Sequence, residues 1–328
     1  AIELDVDAIC DGKDIFVAGI MEHIEAAGVH SGDSACVIPP ISLTQQQINT
    51  IFKYVKLLAK EIKVKGLMNL QLAIKDGIIY VLEVNPRASR TVPYVSKSIG
   101  LPIAKVAMKV MLGYKLQDLL KKYNFSQEKI LNLEYSTVKE VVLPFQKFSN
   151  VDIVLSPEMR STGEVMGIDK NFPLAYAKSQ FAAGSNIPLT GKILLSLNNR
   201  DKQKGLKIAK QLVDLGFQLI ATSGTQQFLT KHNIPCQKVN KISEGRPNLV
   251  DIISNHEVVL VINTPTGKGR SFSDGFYIRR TATINNIPVV TTIEAAICIV
   301  EAIKELKKNY NILTNKINFE VLPLQKWY

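Results

Sequence analysis

Two stretches in which polar and apolar residues alternate flank the short sequence Lys75-Asp76-Gly77. They are Leu67–Ile74 and Ile78–Asn85, and a period of two is typical of half-buried antiparallel strands. An Asp-Gly pair between two such stretches favours a tight hairpin turn. The pattern therefore predicts a β-hairpin, so this part of the chain must build a sheet.

The length of the turn decides which side chains share a face of this hairpin. A two-residue Asp76-Gly77 turn would pair Gln71 with Leu82 and put Gln71 and Glu83 on opposite faces. A three-residue loop with a left-handed Gly77 pairs Gln71 with Val81 instead. Because this second register separates polar from apolar side chains, we predict the three-residue loop.

In the predicted register one face of the hairpin carries side-chain oxygens, and the other is apolar. The polar face holds Asn69, Gln71, Glu83 and Asn85, and the apolar face holds Leu70, Leu72, Ile74, Ile78, Tyr80, Leu82 and Val84. Carboxylate and amide oxygens suit Mg²⁺, which also binds substrate phosphates. Arg87 and Arg90, just after the second strand, are suited to neutralise a transferring phosphoryl group.

The residues before the hairpin predict helices and a ligand loop. Residues 44–62 place apolar side chains at helical spacing, with Ser42 or Thr44 as the cap of a helix that covers the sheet. A helical stretch is also predicted over Met21–Ala27. It precedes the loop Gly28–Ser34, whose glycines let a ligand approach the backbone.

Residues 192–306 alternate between strand-like and helical stretches, which predicts a parallel sheet. Ligands of such sheets bind at the carboxyl ends of the strands. Thr222-Ser223-Gly224-Thr225 lies there at a predicted helix N-terminus, together with Lys202 and the segment Asn263–Lys268. These residues predict a phosphate site.

The net charge of +11 is unevenly distributed along the 328 residues. Residues 184–328 carry 19 of the 40 Lys and Arg but only 10 of the 29 Asp and Glu, a net charge of +9. We interpret this basic half as a binding partner of phosphorylated small molecules. Nucleic acid is not predicted as a partner, because basic and aromatic residues form no repeated pattern.

Other broad features narrow the class of protein. No apolar stretch is long enough to span a membrane, so no membrane partner is predicted. The four cysteines are far apart and form no CxxC pair, which predicts reduced thiols and a cytoplasmic location. The last residues, Trp327 and Tyr328, are predicted to form an exposed tail.

Five strings of this sequence together resemble the C-terminal portion of the large chain of carbamoyl phosphate synthase. They are Ile20–Ser34, Gly66–Gln71, Glu83–Pro93, Lys139–Phe145 and Pro157–Gly167. The resemblance implies an α/β chain of two parts. Residues 1–183 would be the back half of an α+β ATP-grasp module with an antiparallel sheet. Residues 184–328 would be a parallel-sheet α/β regulatory domain like methylglyoxal synthase.

The resemblance also implies an activity and partners. The family is an ATP-dependent ligase that makes carbamoyl phosphate for pyrimidine and arginine biosynthesis, and this module would phosphorylate carbamate with ATP and Mg²⁺ or Mn²⁺. The implied partners are a glutaminase small chain, the N-terminal part of the large chain, a phosphorylated nucleotide-type effector and further copies in an oligomer.

Motif matches to the family assign roles to particular residues. The implied metal ligands are Gln71, Glu83 and Asn85, and the implied groups at the phosphoryl acceptor are Arg87 and Arg90. The implied nucleotide contacts are Glu3, Gly28, Val29, His30, Ser31, Gln71 and Glu83. The implied effector contacts are Lys202, Thr222, Ser223, Gly224, Thr225, Lys241 and Asn263. An ornithine site is implied at Glu25, Asp33 and Glu134.

Two other functions stay open at the level of the sequence. The glycine-rich phosphate lid of the module is not in these residues, so the chain is expected to be catalytically incomplete alone. It can then be a detached effector-binding module. A lyase like methylglyoxal synthase would need a carboxylate beside the phosphate site, and the segment Asn263–Lys268 has none.

Overall fold

The structure is a computed structural model that describes residues 1–145, 151–265, 270–311 and 316–328. The chain divides into two compact units. The first comprises Ala1–Val141, Glu164–Ala175 and Glu320–Tyr328, and the second comprises Val142–Gly163 and Tyr176–Phe319. These units differ from the predicted ranges 1–183 and 184–328: residues 142–163 and 176–183 belong to the second unit, and residues 320–328 belong to the first.

The first unit contains a seven-stranded sheet and the helices around it. Its strands are β1 (Ile2–Asp11), β2 (Ile15–Ala26), β3 (Cys36–Ile38), β4 (Lys65–Lys75), β5 (Ile78–Asn85), β6 (Ser136–Val142) and β7 (Gly163–Asp169). Its helices are α1 (Gln45–Glu61), α2 (Val92–Ile99), α3 (Ile103–Met111), α4 (Leu116–Lys122) and α5 (Gln127–Leu131). The strand order is β5-β4-β1-β2-β3-β6-β7, and the pairs from β5 across to β6 are antiparallel.

Each face of this sheet has its own hydrophobic cluster. One cluster joins even-numbered residues of β1, such as Leu4 and Val6, to Ile51 and Val55 of α1. The other joins Ile9 of β1 to residues of α2 through α5, such as Val95. Because neighbouring side chains of a strand point to opposite faces, β1 supplies both layers. Helix α1 begins at Thr44, which forms a capping box with Gln47, as the sequence predicted.

The predicted helix over Met21–Ala27 is wrong, because these residues belong mostly to strand β2. Met21 packs in the cluster under α2, whereas Ile20 packs in the cluster under α1. A strand buried on both faces shows no alternation of polar and apolar residues. A short apolar run of this kind cannot be told from a helix by its periodicity.

The C-terminal residues Trp327 and Tyr328 pack within the first unit, which corrects the prediction of a tail, although Tyr328 is 40% exposed. They belong to the first unit, where the Trp327 ring meets Tyr135 edge-on with ring centres 6.1 Å apart. The Tyr328 hydroxyl donates to the carbonyl of Lys97. Its ring lies against Gly100, which ends α2 in a left-handed conformation with φ +75°.

The second unit contains a five-stranded parallel sheet. Its strands run in the order β10-β9-β8-β11-β12 and are β8 (Lys192–Ser196), β9 (Gln218–Thr222), β10 (Gln237–Val239), β11 (Leu260–Asn263) and β12 (Val289–Val290). The helices in this part of the chain are α6 (Phe172–Ala182), α7 (Lys202–Asp214), α8 (Ser223–Lys231), α9 (Leu249–Ser254), α10 (Arg270–Ile284) and α11 (Ile293–Lys308). A short ladder of β13 (Tyr310–Asn311) and β14 (Lys316–Ile317) follows. The predicted fold class, an antiparallel sheet followed by a parallel α/β sheet, is confirmed.

Candidate functional site

Polar side chains form two rows across three neighbouring strands of the first unit. The strand registers pair Asp5 with Gln71 and Asp7 with Asn69 between β1 and β4. The next ladder pairs Gln71 with Glu83 and Asn69 with Asn85. Paired residues share a face, so each row runs from an acid of β1, through an amide of β4, to a polar residue of β5. Glu3 lies on the same face of β1, two residues before Asp5.

The register of the β4–β5 hairpin shows that the predicted three-residue loop is wrong, although the predicted polar residues still share one face. Lys75 pairs with Ile78, so the turn has two residues, Asp76 and Gly77, with φ of +51° and +79°. Positive φ at both positions is the type I′ geometry of tight hairpins. A shift between Gln71 and Leu72 then inserts one unpaired residue, Leu82, into β5.

This bulge restores the common face of the metal candidates. Without it, the two-residue turn would pair Gln71 with Leu82 and turn Glu83 away. With it, Glu83 lies directly opposite Gln71. The predicted apolar face is only partly correct, because Ile78, Tyr80 and Leu82 are about half exposed, at 57%, 47% and 55%. Leu70, Leu72, Ile74 and Val84 of that face do pack in the hydrophobic cluster, together with Ile79, which was not predicted there.

The predicted metal ligands form a set of oxygen donors of the kind that Mg²⁺ prefers. Gln71, Glu83 and Asn85 share one face, and the Asn85 amide donates to the Glu83 carboxylate. That bond leaves the Asn85 carbonyl oxygen as an acceptor on the side chain. In the described parts of the chain, no group of three or more His, Cys, Asp or Glu could hold a metal by itself. The set thus fits a magnesium ion that takes its other ligands from phosphates and water.

The predicted nucleotide loop lies beside the start of β1. The Gly28 amide donates to the Glu3 carboxylate at 3.4 Å, so the structure brings these two candidates together. Gly28 has φ +109°, which only glycine adopts readily. Val29, His30 and Ser31 continue this loop, and the His30 ring accepts from the Gly32 amide at 3.0 Å.

The two candidate arginines are exposed on the loop that joins β5 to α2. The Arg87 amide donates to the Asn85 carbonyl at 2.8 Å, and its guanidinium donates to the Ala88 carbonyl at 3.0 Å. The loop hydroxyls Ser89 and Thr91 instead face the sheet, and each donates to Asp7 at 2.7 Å. Burial raises the pKa of Asp7, although these hydroxyls and Asn69 oppose the rise.

The predicted ornithine residues come from three segments of the first unit: Glu25 from β2, Asp33 from the loop after it, where it is buried, and Glu134 from the residues before β6. The Glu25 carboxylate accepts from the Ala35 amide at 2.8 Å, and burial raises the pKa of Glu25. Glu134 precedes β6, whereas the β3–β6 register places Lys139 opposite Cys36. Glu134 itself lies in the bend before β6, outside this ladder.

Lys139 is a buried cation beside the nucleotide loop, and the sequence analysis did not select it. Its side chain is 1% exposed, and its ammonium group donates to the Ser31 carbonyl at 3.1 Å. The register with Cys36 makes this contact, because it carries Lys139 to the first residue of β3, where the nucleotide loop ends.

The predicted effector residues of the second unit gather at the carboxyl edge of the parallel sheet. Thr222 ends β9 and is the N-cap of α8, with no side-chain cap bond. The Lys202 ammonium lies 3.6 Å from the place where a Cβ of Gly224 would be. Ser223 Oγ is buried and has no hydrogen-bond partner among the described residues. A cation and open amides at a helix N-terminus are suited to a phosphate.

Not every predicted effector residue is open to a ligand. Thr225 is 1% exposed, and its hydroxyl accepts from the Leu197 amide at 3.0 Å. Lys241 follows β10 at the same edge of the sheet.

Of the predicted segment Asn263–Lys268, residues 266–268 lie outside the described residues.

A buried arginine fixes the amide of Asn263. Arg279 is 1% exposed and donates to Asn263 Oδ1 at 2.6 Å. Its other nitrogens bind Asp152, with Nε to Oδ1 at 2.7 Å. The Asn263 amide nitrogen donates to the Ser196 carbonyl at 3.3 Å. Since Arg279 occupies the amide oxygen, Asn263 can offer a ligand one N–H donor, which suits an anion.

Comparison with known proteins gives two family matches. The family described as "Carbamoyl-phosphate synthase L chain, ATP binding domain" matches residues 1–119, and the family described as "MGS-like domain" matches residues 204–291. The C-terminal section of the carbamoyl phosphate synthase large chain from Aquifex aeolicus is 51% identical over 318 residues, covering 94% of this chain and 59% of the relative. The chain belongs to the carbamoyl phosphate synthase large-chain family.

Two further relatives agree with this assignment. The corresponding C-terminal section from Methanocaldococcus jannaschii is 50% identical over 94% of this chain and 50% of the relative. The carbamoyl phosphate synthase large chain from Archaeoglobus fulgidus is 52% identical over 94% of this chain and 28% of the relative. The chain therefore spans from about a quarter to about three fifths of these relatives.

The structure adds residues that the sequence analysis missed. Asp5 and Asp7 continue a period-two series from Glu3, and acids at every second position of an otherwise apolar strand were a usable signal. Arg279 gave no such signal, because its burial depends on Asp152, 127 residues earlier. Among the described residues, no helix is long and apolar enough to cross a membrane.

Proposed function

We propose that this chain carries the carbamate-phosphorylating site of a carbamoyl phosphate synthase, with an effector site on its second unit. In the proposed step a carbamate oxygen attacks the γ-phosphorus of ATP. The new oxygen–phosphorus bond gives carbamoyl phosphate, and the broken bond leaves its electron pair on the β-phosphate of ADP. Such transfers depend on positioning and on charge neutralisation rather than on covalent chemistry by the protein.

The observation that carries this proposal is the pairing of Gln71 with Glu83, beside Asn69 and Asn85. It sets oxygen donors next to the loop that bears Arg87 and Arg90. When bound, Mg²⁺ would neutralise the phosphate oxygens there. The arginines would bind the anionic carbamate or the transferring group, and Glu3 with Gly28 and its loop would hold the nucleoside.

Substitution of Glu83 tests the metal role directly. In the assembled synthase, Glu83→Gln keeps the shape of the side chain but removes its charge. We expect it to abolish ATP formation from carbamoyl phosphate and ADP, which is the reverse of the proposed step. Glu61→Gln, at the exposed end of α1, is the matched control and should retain wild-type activity. Wild-type activity of Glu83→Gln would overturn the assignment.

We propose that the second unit binds a phosphorylated nucleotide-type effector at Thr222–Thr225, with Lys202, Lys241 and Asn263. Support comes from the lysine beside an uncapped helix N-terminus. Calorimetry of the chain with nucleoside monophosphates tests this proposal. Lys202→Gln should abolish the binding heat, whereas Lys207→Gln, exposed on the same helix, should not. Equal heats from both variants would overturn the assignment.

The proposed reaction would also use groups outside these residues. The N-terminal part of the large chain would complete the ATP site, and a glutaminase small chain would supply ammonia. In the alternative proposal, the chain is an effector-binding module without catalysis of its own. Measurements on the assembled synthase distinguish these two proposals. If the chain is catalytic, Glu83→Gln abolishes activity while effector binding persists. If the chain only binds an effector, Glu83→Gln leaves activity unchanged.

A further inference from the structure

We propose that Asp7 is a positioning residue, which locks the loop bearing Arg87 and Arg90 to the row of metal candidates. This inference rests on the proposed phosphoryl transfer and adds a residue to it. Asp7 touches neither candidate group directly. It acts through the side chains of three other residues, one on strand β4 and two on the arginine loop.

Three side chains donate to the buried carboxylate of Asp7. It is 1% exposed and accepts from Asn69 Nδ2 at 2.9 Å, Ser89 Oγ at 2.7 Å and Thr91 Oγ1 at 2.7 Å. Hydrogen bonds to a carboxylate are stronger than those between neutral groups, and burial strengthens them further. The carboxylate therefore binds two neighbouring parts of the site to one point on β1.

The bond from Thr91 replaces one that its position would normally favour. Thr91 is the N-cap of α2, where a threonine hydroxyl ordinarily accepts from an amide in the first turn of the helix. Here it makes no cap bond and donates to Asp7 instead. The helix forgoes a local stabilising bond while the loop gains a link to the sheet. Departures of this kind from local preference are expected at functional sites.

Asp7 holds both ends of the arginine loop. Thr91 is the last residue of the loop, and Ser89 lies between the two arginines. At the other end, Asn69 pairs across the ladder with Asn85, whose carbonyl accepts from the Arg87 amide at 2.8 Å. Only residues 86–90 separate Asn85 from Thr91. With its hydroxyls turned to Asp7 and its arginines exposed, the loop has little freedom to shift.

This arrangement matters because phosphoryl transfer is sensitive to small displacements. A shift of about 1 Å in a group that contacts the reacting atoms can lower a rate about a hundredfold. Support by buried hydrogen bonds is the usual way in which a site holds such groups in place. Loss of the Asp7 bonds should therefore lower the rate of transfer more than it weakens nucleotide binding.

Thr91 offers the sharpest test, because valine has the same shape without the hydroxyl. In the assembled synthase, Thr91→Val should lower kcat for ATP formation from carbamoyl phosphate and ADP by about tenfold or more. KM for ADP should stay within about twofold, since the nucleotide loop is untouched. Thr91→Ser keeps the hydroxyl and should restore kcat to within about twofold of wild type.

Thr137→Val is the matched structural control. Thr137 is also fully buried in the first unit, where its hydroxyl donates to Ser98 at 2.9 Å, and Asp7 is not among its hydrogen-bond partners. It should lower the thermal midpoint about as much as Thr91→Val and keep kcat. The double variant of Asp7→Asn with Thr91→Val should lose no more kcat than Asp7→Asn alone, because Thr91 and its neighbour Ser89, 2.7 Å away, are both held by the Asp7 carboxylate.

The outcomes separate this inference from the proposed function. An unchanged kcat in Thr91→Val, or an equal loss of kcat in Thr137→Val, would overturn the positioning role while Glu83→Gln stays inactive. Activity in Glu83→Gln would overturn the proposed function itself. Failure of Thr91→Ser to restore kcat would also contradict the role of the hydroxyl.

Discussion

Gln71 lies directly opposite Glu83 in the ladder between β4 and β5, and the extra residue Leu82 puts it there. A two-residue turn alone would have left Glu83 on the other face of the sheet. One bulged residue therefore decides whether the candidate metal ligands meet. Bulges commonly re-aim side chains next to active sites, and this one lies three residues before Asn85.

The hairpin turn gives the first prediction. Gly77 has φ +79°, and no atom lies within 4 Å of the place where its Cβ would be. Gly77→Ala should thus cost about 1 kcal/mol of unfolding free energy from backbone conformation alone. Chemical denaturation measures this cost. Gly163→Ala is the control, because Gly163 lacks a positive φ and its nearest neighbour would be 3.8 Å away. Equal stability of the two variants would contradict the left-handed turn.

The docking of the C-terminal segment gives the second prediction. A Cβ on Gly100 would lie 2.5 Å from the Tyr328 ring, so Gly100→Ala should displace that ring. Trp327 is the only tryptophan of the chain, and its fluorescence therefore reports on this segment alone. We expect a red-shifted emission in Gly100→Ala, since Trp327 loses its contact with Tyr135. An emission unchanged from wild type would contradict the docked arrangement. Gly113→Ala, also at positive φ but with no neighbour within 4 Å, is the control.

The buried ion pair of the second unit gives the third prediction. Asp152→Ala leaves the Arg279 guanidinium buried without its carboxylate, which should cost about 3 kcal/mol of unfolding free energy. The double variant with Arg279→Met should regain part of that loss, because the uncompensated charge is gone. Urea unfolding of the four proteins of this cycle measures the coupling.

An exposed ion pair serves as the control for this cycle. Lys204 and Glu294 are 3.0 Å apart on the surface, so Glu294→Ala should change stability by less than about 0.5 kcal/mol. A loss in Asp152→Ala no larger than that of Glu294→Ala would show that Arg279 does not depend on Asp152.

Cysteine reactivity gives the fourth prediction. Cys236 is the partly exposed cysteine, and partial burial raises its pKa to about 11. Cys10, Cys36 and Cys298 are buried, so a reagent in solution does not reach them. Only the thiolate is alkylated, so at pH 8 about one Cys236 in a thousand should be reactive, against about a quarter of a free cysteine. The alkylation rate should rise about tenfold per pH unit and level off near pH 11. A rate at pH 8 equal to that of free cysteine would contradict the shift, and Cys236→Ser identifies the site.

The sequence determined the elements whose signals are local. Ser42 and Thr44 were the two candidate caps for α1, of which Thr44 is the one used, and the alternating pattern around Asp76-Gly77 marked a hairpin. The strand–helix rhythm of residues 192–306 gave a parallel sheet, and it placed Lys202 and Thr222–Thr225 at the correct edge. These features depend on residues near one another in the chain, where turn chemistry, capping and hydrophobic periodicity act directly.

Tertiary structure decided the rest, because the deciding partners are distant in sequence. The sequence predicts a helix for part of strand β2, because burial on both faces of this strand removes the alternation of polar and apolar residues. Leu82 became the bulge because β4 fixes the partners of β5 from the other side of the ladder. Nothing in the sequence near Asp7 or near Thr91 indicates that the two side chains meet. Only the folded sheet brings them 2.7 Å apart, across 84 residues, where one carboxylate can hold the arginine loop.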